Sequence, residues 1–161
     1  MLQARIEELD ARRLVFWAAT LSIGGGLVHA LATGEHLAEW WGYGVFFIFA
    51  ALAQICCGLI YFIQPWRYDE TGGSRSDEEA APYGRPWFLA GIAGNSAIIL
   101  LFLITRTVGI PFFGPGAGQA EPLTLLGVLS VIIETGIVAC LTLAVRSLNP
   151  KSTKLARGHG D

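Results

Sequence analysis

The sequence predicts an all-α integral membrane protein, a four-helix bundle with a short amphipathic helix ahead of its first span. Three observations carry this. Apolar residues collect in four blocks, 14–33, 44–63, 87–105 and 123–145. Each is about 20 residues long, the length a helix rising about 1.5 Å per residue needs to cross about 30 Å of hydrocarbon. Hydrophobic residues make up 53% of the 161-residue chain and charged residues only 15%, where a soluble domain carries about 25% charged residues. The basic residues are also one-sided. Arg5, Arg12, Arg13, Arg67, Arg75, Arg85, Arg146, Lys151, Lys154 and Arg157, ten of the eleven, fall on one side of four successive crossings, and only Arg106 falls on the other.

Lipid offers the backbone no hydrogen-bond partner, so blocks of this length must be helical. The ten-residue alternation of a barrel strand is absent. The positive-inside rule places both termini and the 64–86 loop in the cytoplasm and the 106–122 loop outside, in an inner or plasma membrane. Residues 1–161 then form one membrane domain. A net charge of −2 with no basic patch gives no reason to expect nucleic acid. Cys56, Cys57 and Cys140 lie within spans, and an odd count with two adjacent is not a disulfide framework. The first apolar segment is too long for a signal-peptide core and no small-residue cleavage site follows it, so it is expected to stay as an anchor.

Taken in order, Leu2, Ile6, Leu9 and Arg13 fall at helical spacing, with Arg5, Glu8 and Arg12 on the other face. This is the pattern of a short interfacial helix, or of a cytoplasmic extension of the first span. Gly24-Gly25-Gly26 either admit a second helix closely or soften a bend. Gly34 is expected to loosen the helix end, leaving Glu35 to Tyr43 along the outer interface with Trp40, Trp41 and Tyr43 at headgroup depth. Gly42 and Gly44 permit a reversal into the second span, which ends at Gln64-Pro65-Trp66. The polar 68–86 stretch reads as a mobile loop, with Asp77-Glu78-Glu79 a solvated charge run. The outer loop, with Pro111-Phe112-Phe113, is expected to fold back on the rim as a lid. The tail after Arg146, including His159, carries no expected role.

Few polar residues remain at membrane depth. Glu134 lies 11 residues into the fourth span, about 16 Å down. A carboxylate there costs about 2.5–3.5 kcal/mol on insertion scales, so it must face the bundle interior and find a partner. Gln54 and Asn95 reach similar depth and are candidate partners, either as interhelical glue or as a site for an ion or proton. His29 and His36 are seven residues apart, on one face if the helix continues, and Glu39 follows on that face beside Glu35. This nitrogen and oxygen set suits zinc or copper, relays protons, or is plain interfacial polarity with Arg106 as counter-charge. For a metal, the obstacle is the axial gap of about 10 Å between the histidines on a straight helix. A break at Gly34, or a ligand from another helix such as Glu134, would be needed. Bis-histidine haem is disfavoured, because both membrane-level histidines sit on one segment.

No phosphate loop, Ser/His/Asp order or CxxC pair points to an enzyme. Thr105-Arg106-Thr107 near an interface suits a lipid phosphate. Besides a lipid-modifying enzyme that would hold a headgroup with Arg106 and the rim, two functional expectations result. One is a protein whose His29/His36/Glu39 rim and buried Glu134 bind a metal or cofactor, or relay protons or ions. The other is a non-catalytic accessory subunit that packs on other membrane subunits or on itself within the bilayer.

Overall fold

The computed structural model describes residues 2–147, with side chains from Ala11 onward. Within them the fold is all-helical: α1 (Leu2–Glu39), α2 (Trp41–Ile63), a 3₁₀ turn at Pro65–Arg67, α3 (Asp77–Thr107) and α4 (Leu125–Ser147). All four long helices are long and apolar enough to cross a membrane. Among the described residues the one β feature is an isolated bridge between Tyr68 and Ser74.

α1 is the central element, packing along α2 on one side and α4 on the other, while α3 packs on α4 and on the 3₁₀ turn. Neighbours are antiparallel. Along α1, Leu21 meets Gly136, Gly25 meets Ile133, and His29 meets Ser130 and Glu134. The α1–α2 approach depends on missing side chains. A Cβ on Gly26 would lie 2.9 Å from the Ala51 carbonyl oxygen, and one on Gly58 would lie 3.0 Å from that of Ala19. Backbones this close are the small-residue packing of membrane helices. Of the glycine triplet, Gly25 and Gly26 face neighbours and Gly24 faces open space, so the triplet serves packing without ending the helix.

Three boundaries differ from those read in the sequence. The N-terminal segment is no separate helix: the backbone runs unbroken through Leu2–Glu39, since no Gly or Pro interrupts residues 2–23. The amphipathic faces expected over residues 2–10 lie outside the described side chains, and the tail from 148 onward, with His159, lies outside the described residues. The helix also passes through Gly34, because a helical glycine costs only about 1 kcal/mol. It ends at Glu39, and extended Trp40 (φ −164°, ψ 136°) makes the reversal into α2. Residues 35–39 are therefore helix and not an interfacial strip.

The third difference is the 68–86 stretch, half of which is the start of α3. Ser76 caps it: the Glu79 carboxylate accepts from the Ser76 backbone N–H at 2.9 Å and from its hydroxyl at 2.8 Å, while the Glu79 N–H donates back at 3.4 Å. This is a capping box, which satisfies donors a helix start leaves unpaired. Asp77 is no idle charge either, since its Oδ1 accepts from Arg67 Nη1 at 2.5 Å and lies 3.7 Å from Arg12 Nη2. That cluster ties the start of α3 to α1 and the 3₁₀ turn.

The core runs along the end of the bundle that holds the α2–α3 connection: Val15, Ala18 and Ala19 of α1, Tyr61 of α2, Trp66, Phe88 of α3, and Ile137, Leu141 and Ala144 of α4. Tyr61 donates its hydroxyl to the Trp87 carbonyl at 2.9 Å and so bridges α2 to α3. Outward faces stay apolar, with Leu31, Phe49, Leu100 and Leu125 among many exposed large side chains.

The capping box makes the start of α3 sensitive to acid. The Glu79 carboxyl is held below the ordinary carboxylate range, first by the Ser76 backbone N–H and then by its hydroxyl. A depressed value means the cap stabilises the folded state fully above the ordinary carboxylate range and is lost as pH falls through the lowered one. Hydrogen exchange at residues 77–80 should accelerate on acidification more than exchange in the rest of α3. Glu79→Gln should remove that excess, and equal acceleration in both proteins would contradict the cap.

Candidate functional site: a buried histidine and glutamate

On α4, Ser130 and Glu134 are one turn apart and share a face. That face meets α1 where His29 projects. The His29 Nε2 lies 2.9 Å from Glu134 Oε1, and the Ser130 hydroxyl donates to the same oxygen at 2.8 Å. Glu134 has no exposed surface and His29 is 3% exposed. Oε1 thus receives two hydrogen bonds, one across the helix interface and one along its own helix. The other carboxyl oxygen, Oε2, has no protein partner.

An ionised carboxylate can accept both bonds only if Nε2 carries its proton, which leaves two arrangements: imidazole beside carboxylate, or imidazolium beside carboxylate. A third follows when the proton crosses, giving neutral imidazole and carboxylic acid. The geometry serves all three, because hydrogen bonding to a buried charge offsets the cost of removing it from water.

A nucleophilic triad is a different arrangement. There, serine and acid occupy opposite ring nitrogens, so that one orients the base that activates the other. Here Ser130, at 3.5 Å, and Glu134 both face Nε2, and the serine hydroxyl is committed to the carboxylate. The arrangement is a hydrogen-bonded histidine and carboxyl pair with a serine on the same oxygen, and it lacks the geometry that orients a base toward a serine hydroxyl.

Deeper in the bundle lies an amide pair. Gln54 of α2 donates from Nε2 to Asn95 Oδ1 of α3 at 3.0 Å, and Asn95 donates from Nδ2 to the Gly91 carbonyl at 2.7 Å. Ser22 of α1 donates to the Gln54 backbone carbonyl at 2.7 Å. Gln54 and Asn95 thus pair with each other, and neither is a hydrogen-bond partner of Glu134 in this structure. Gln54 Oε1 is buried without a partner.

Toward the α1–α2 hairpin, Phe47 joins two histidines. Its ring stacks on His36 at 4.1 Å and 14° and meets His29 edge-on at 5.5 Å. His36 Nδ1 lies 3.6 Å from Glu39 Oε2, an i,i+3 contact that becomes an ion pair when the ring is charged. Glu35 is exposed one residue before it. The rim does not gather into a metal site: among the described residues no three His, Cys, Asp or Glu side chains come together closely enough to hold an ion. The helix continues unbroken through Gly34, and His29 meets Glu134 while His36 and Glu39 stay at its end. Each level offers two donors, short of the four of a structural zinc site. Cys56, Cys57 and Cys140 are free.

Arg106 pairs with Glu121, and its guanidinium sits 5.1 Å from the Phe102 ring centre. Its partner is therefore in the loop between α3 and α4 and not Glu35 or Glu39. That loop returns over the rim: Tyr43 donates its hydroxyl to the Phe113 carbonyl at 2.9 Å, and Trp40 meets Phe113 edge-on at 4.7 Å. Phe112 points away, 85% exposed.

Ser130 and Phe47 are the two members of the site that sequence reasoning passed over. Ser130 stands four residues before Glu134, a spacing that puts a hydroxyl on the carboxylate's own face. Phe47 carried no signal, being one phenylalanine in an apolar span. Comparison with family models, curated proteins and solved structures finds no match for this chain.

The buried pair makes a double-mutant prediction. His29→Leu leaves Glu134 without its partner across the interface and should destabilise the bundle by about 3 kcal/mol or more. His29→Leu with Glu134→Leu should recover most of that loss, since removing both partners removes the unpaired group. His36→Ala, on the partly exposed rim, should cost under about 1 kcal/mol. Unfolding of the reconstituted protein measures all three, and additive losses from the two leucines would deny the coupling.

Proposed function

We propose that this chain is a multi-pass membrane protein that takes up and releases a proton at the His29–Glu134 pair. The observation that carries the reading is the 2.9 Å contact between His29 Nε2 and a carboxylate with no exposed surface. Ionisable groups are kept at bilayer depth mainly where protons, ions or ligands pass. Imidazole is the side chain whose unperturbed charge change falls near neutral pH. The transfer balances within the pair: the proton leaves Nε2 of the imidazolium for the carboxylate, giving neutral imidazole and carboxylic acid.

Its route to water is the rim. His36 is partly exposed and Glu39 about half-exposed, and Phe47 touches both histidine rings. The aromatic ring separates the two levels, so exchange needs Phe47 to move. With ten of eleven basic residues on the opposite side, the rim faces outward from an inner or plasma membrane and both termini face the cytoplasm. A metal is the less economical guest here, because each level presents only two donors.

The accessory-subunit reading draws on the same exposed apolar faces, which lipid tails also satisfy. Recovery of a stoichiometric membrane partner after mild detergent extraction would favour it.

The test is a pH jump on lightly buffered vesicles that carry a pH-sensitive dye on their surface, which reads proton exchange from the rim side. Wild-type protein should show an uptake phase as a gain over empty vesicles, Glu134→Gln should abolish the gain, and His36→Ala should slow it. A gain that Glu134→Gln leaves intact would reject the pair as the exchange site.

A further inference from the structure

Two buried polar atoms in the bundle have no protein partner although their own residues are otherwise held: Glu134 Oε2 and Gln54 Oε1. Glu134 has no exposed surface and Gln54 is 4% exposed. An unpaired buried acceptor costs about 1–3 kcal/mol, and these two, on α4 and α2, both pack against α1, so a shared donor would satisfy both.

Neither atom is free to turn elsewhere. Asn95 is fixed by its Nδ2 bond to the Gly91 carbonyl, which presents Oδ1 to α2. Gln54 must then offer its Nε2 to Asn95, which aims its Oε1 away from α3. It is aimed at Gly25 of α1: a Cβ there would lie 2.6 Å from Gln54 Oε1 and 3.2 Å from Ile133 Cγ2. Ile133 is the neighbour of Glu134, and His29 is four residues beyond Gly25. Gln54 and Glu134 therefore meet α1 one turn apart, at Gly25 and at His29, about 6 Å of axial rise. On the Glu134 side, His29 and Ser130 both occupy Oε1, so Oε2 is the oxygen left to bind a donor.

Resting on the proton-exchange reading, we propose that a single water molecule bridges Glu134 Oε2 and Gln54 Oε1, and that the Gln54–Asn95 pair is its positioning element. A water carries two donors and lone pairs, whereas the two oxygens facing it are both acceptors while Glu134 is ionised. It donates to both in that state. When the proton crosses from Nε2 it lies on Oε1 and is donated back to Nε2, while the water keeps its bonds to Oε2 and Gln54, the first weakening as the carboxylate charge is lost. Both protonation states then have a complete set of partners. Buried waters of this kind are held by two to four polar groups. Gly25 has its own part in this, because any side chain there would push the amide oxygen from its place.

The experiment is difference infrared spectroscopy on the reconstituted protein in ordinary and ¹⁸O-labelled water, run beside the vesicle assay. Gln54→Met keeps the length of the side chain without the amide, and Gly25→Ala displaces Oε1 while keeping the amide. Helix content by circular dichroism identifies variants that fold. Wild type should show an isotope-sensitive water O–H band that changes with the protonation of Glu134, and both variants should lose it. Exchange in Gln54→Met should slow about tenfold, the worth of about 1.4 kcal/mol, or one net hydrogen bond, in a rate. A band that persists in both folded variants, or no such band in wild type, would overturn the bridging water. Wild-type exchange in Gln54→Met alongside loss in Glu134→Gln would overturn it too, while leaving the exchange site standing. Exchange that survives Glu134→Gln would instead reject the exchange site, and the water band would then be judged separately.

Discussion

A carboxyl group sealed inside four apolar helices sets the terms for everything around it. Glu134 has no exposed surface and so no solvent to lean on, and each of its hydrogen bonds must come from a helix held in register. Ser130 supplies one from a turn earlier on α4, which α4 alone guarantees. His29 supplies the other, and it can do so only if α1 and α4 run antiparallel with Gly25 opposite Ile133 and Leu21 opposite Gly136. The close α1–α2 contact at Gly26 and Gly58 then brings Phe47 and Gln54 to the same interior. The core of Ile137, Leu141 and Tyr61 closes the bundle beneath it.

Along the axis the polar groups form three levels, the inner two each linking a different pair of helices. His36 and Glu39 mark the end near the hairpin, His29 and Glu134 join α1 to α4, and Gln54 and Asn95 join α2 to α3. Phe47 spans the first two levels by touching both histidines. The order is suited to carrying a proton inward from a titratable rim to a buried acceptor. The Arg67, Asp77 and Arg12 cluster and the Ser76 cap close the opposite end with charges that stay paired.

Much of the fold was legible because a 20-residue apolar block has few alternatives to a helix. Its edges were harder. The Asp77-Glu78-Glu79 run has the polarity of a loop, although Ser76 three residues ahead of Glu79 is the spacing of a capping box. Gly34 looks like a breaker in the sequence, but one glycine without a proline after it is a small cost in a long helix. At the site, depth was readable by counting residues, which singled out Glu134, Gln54 and Asn95. Partnership was not. His29 and Glu134 are 105 residues apart, and which face of α1 meets which face of α4 depends on tertiary packing that no local pattern records. The two histidines share a helix but not a role, because seven residues of unbroken helix separate them by more than any one ion can span.

The most direct test of the buried pair is solid-state NMR in lipid bilayers, following the ring nitrogens of His29 and the carboxyl carbon of Glu134 over a pH series. If the two exchange a proton, their resonances change together, and Glu134→Gln alters the His29 ring nitrogens while leaving those of His36 nearly unmoved. His29 nitrogens that behave alike with and without Glu134, or a carboxyl carbon that changes independently of the ring, would contradict the account.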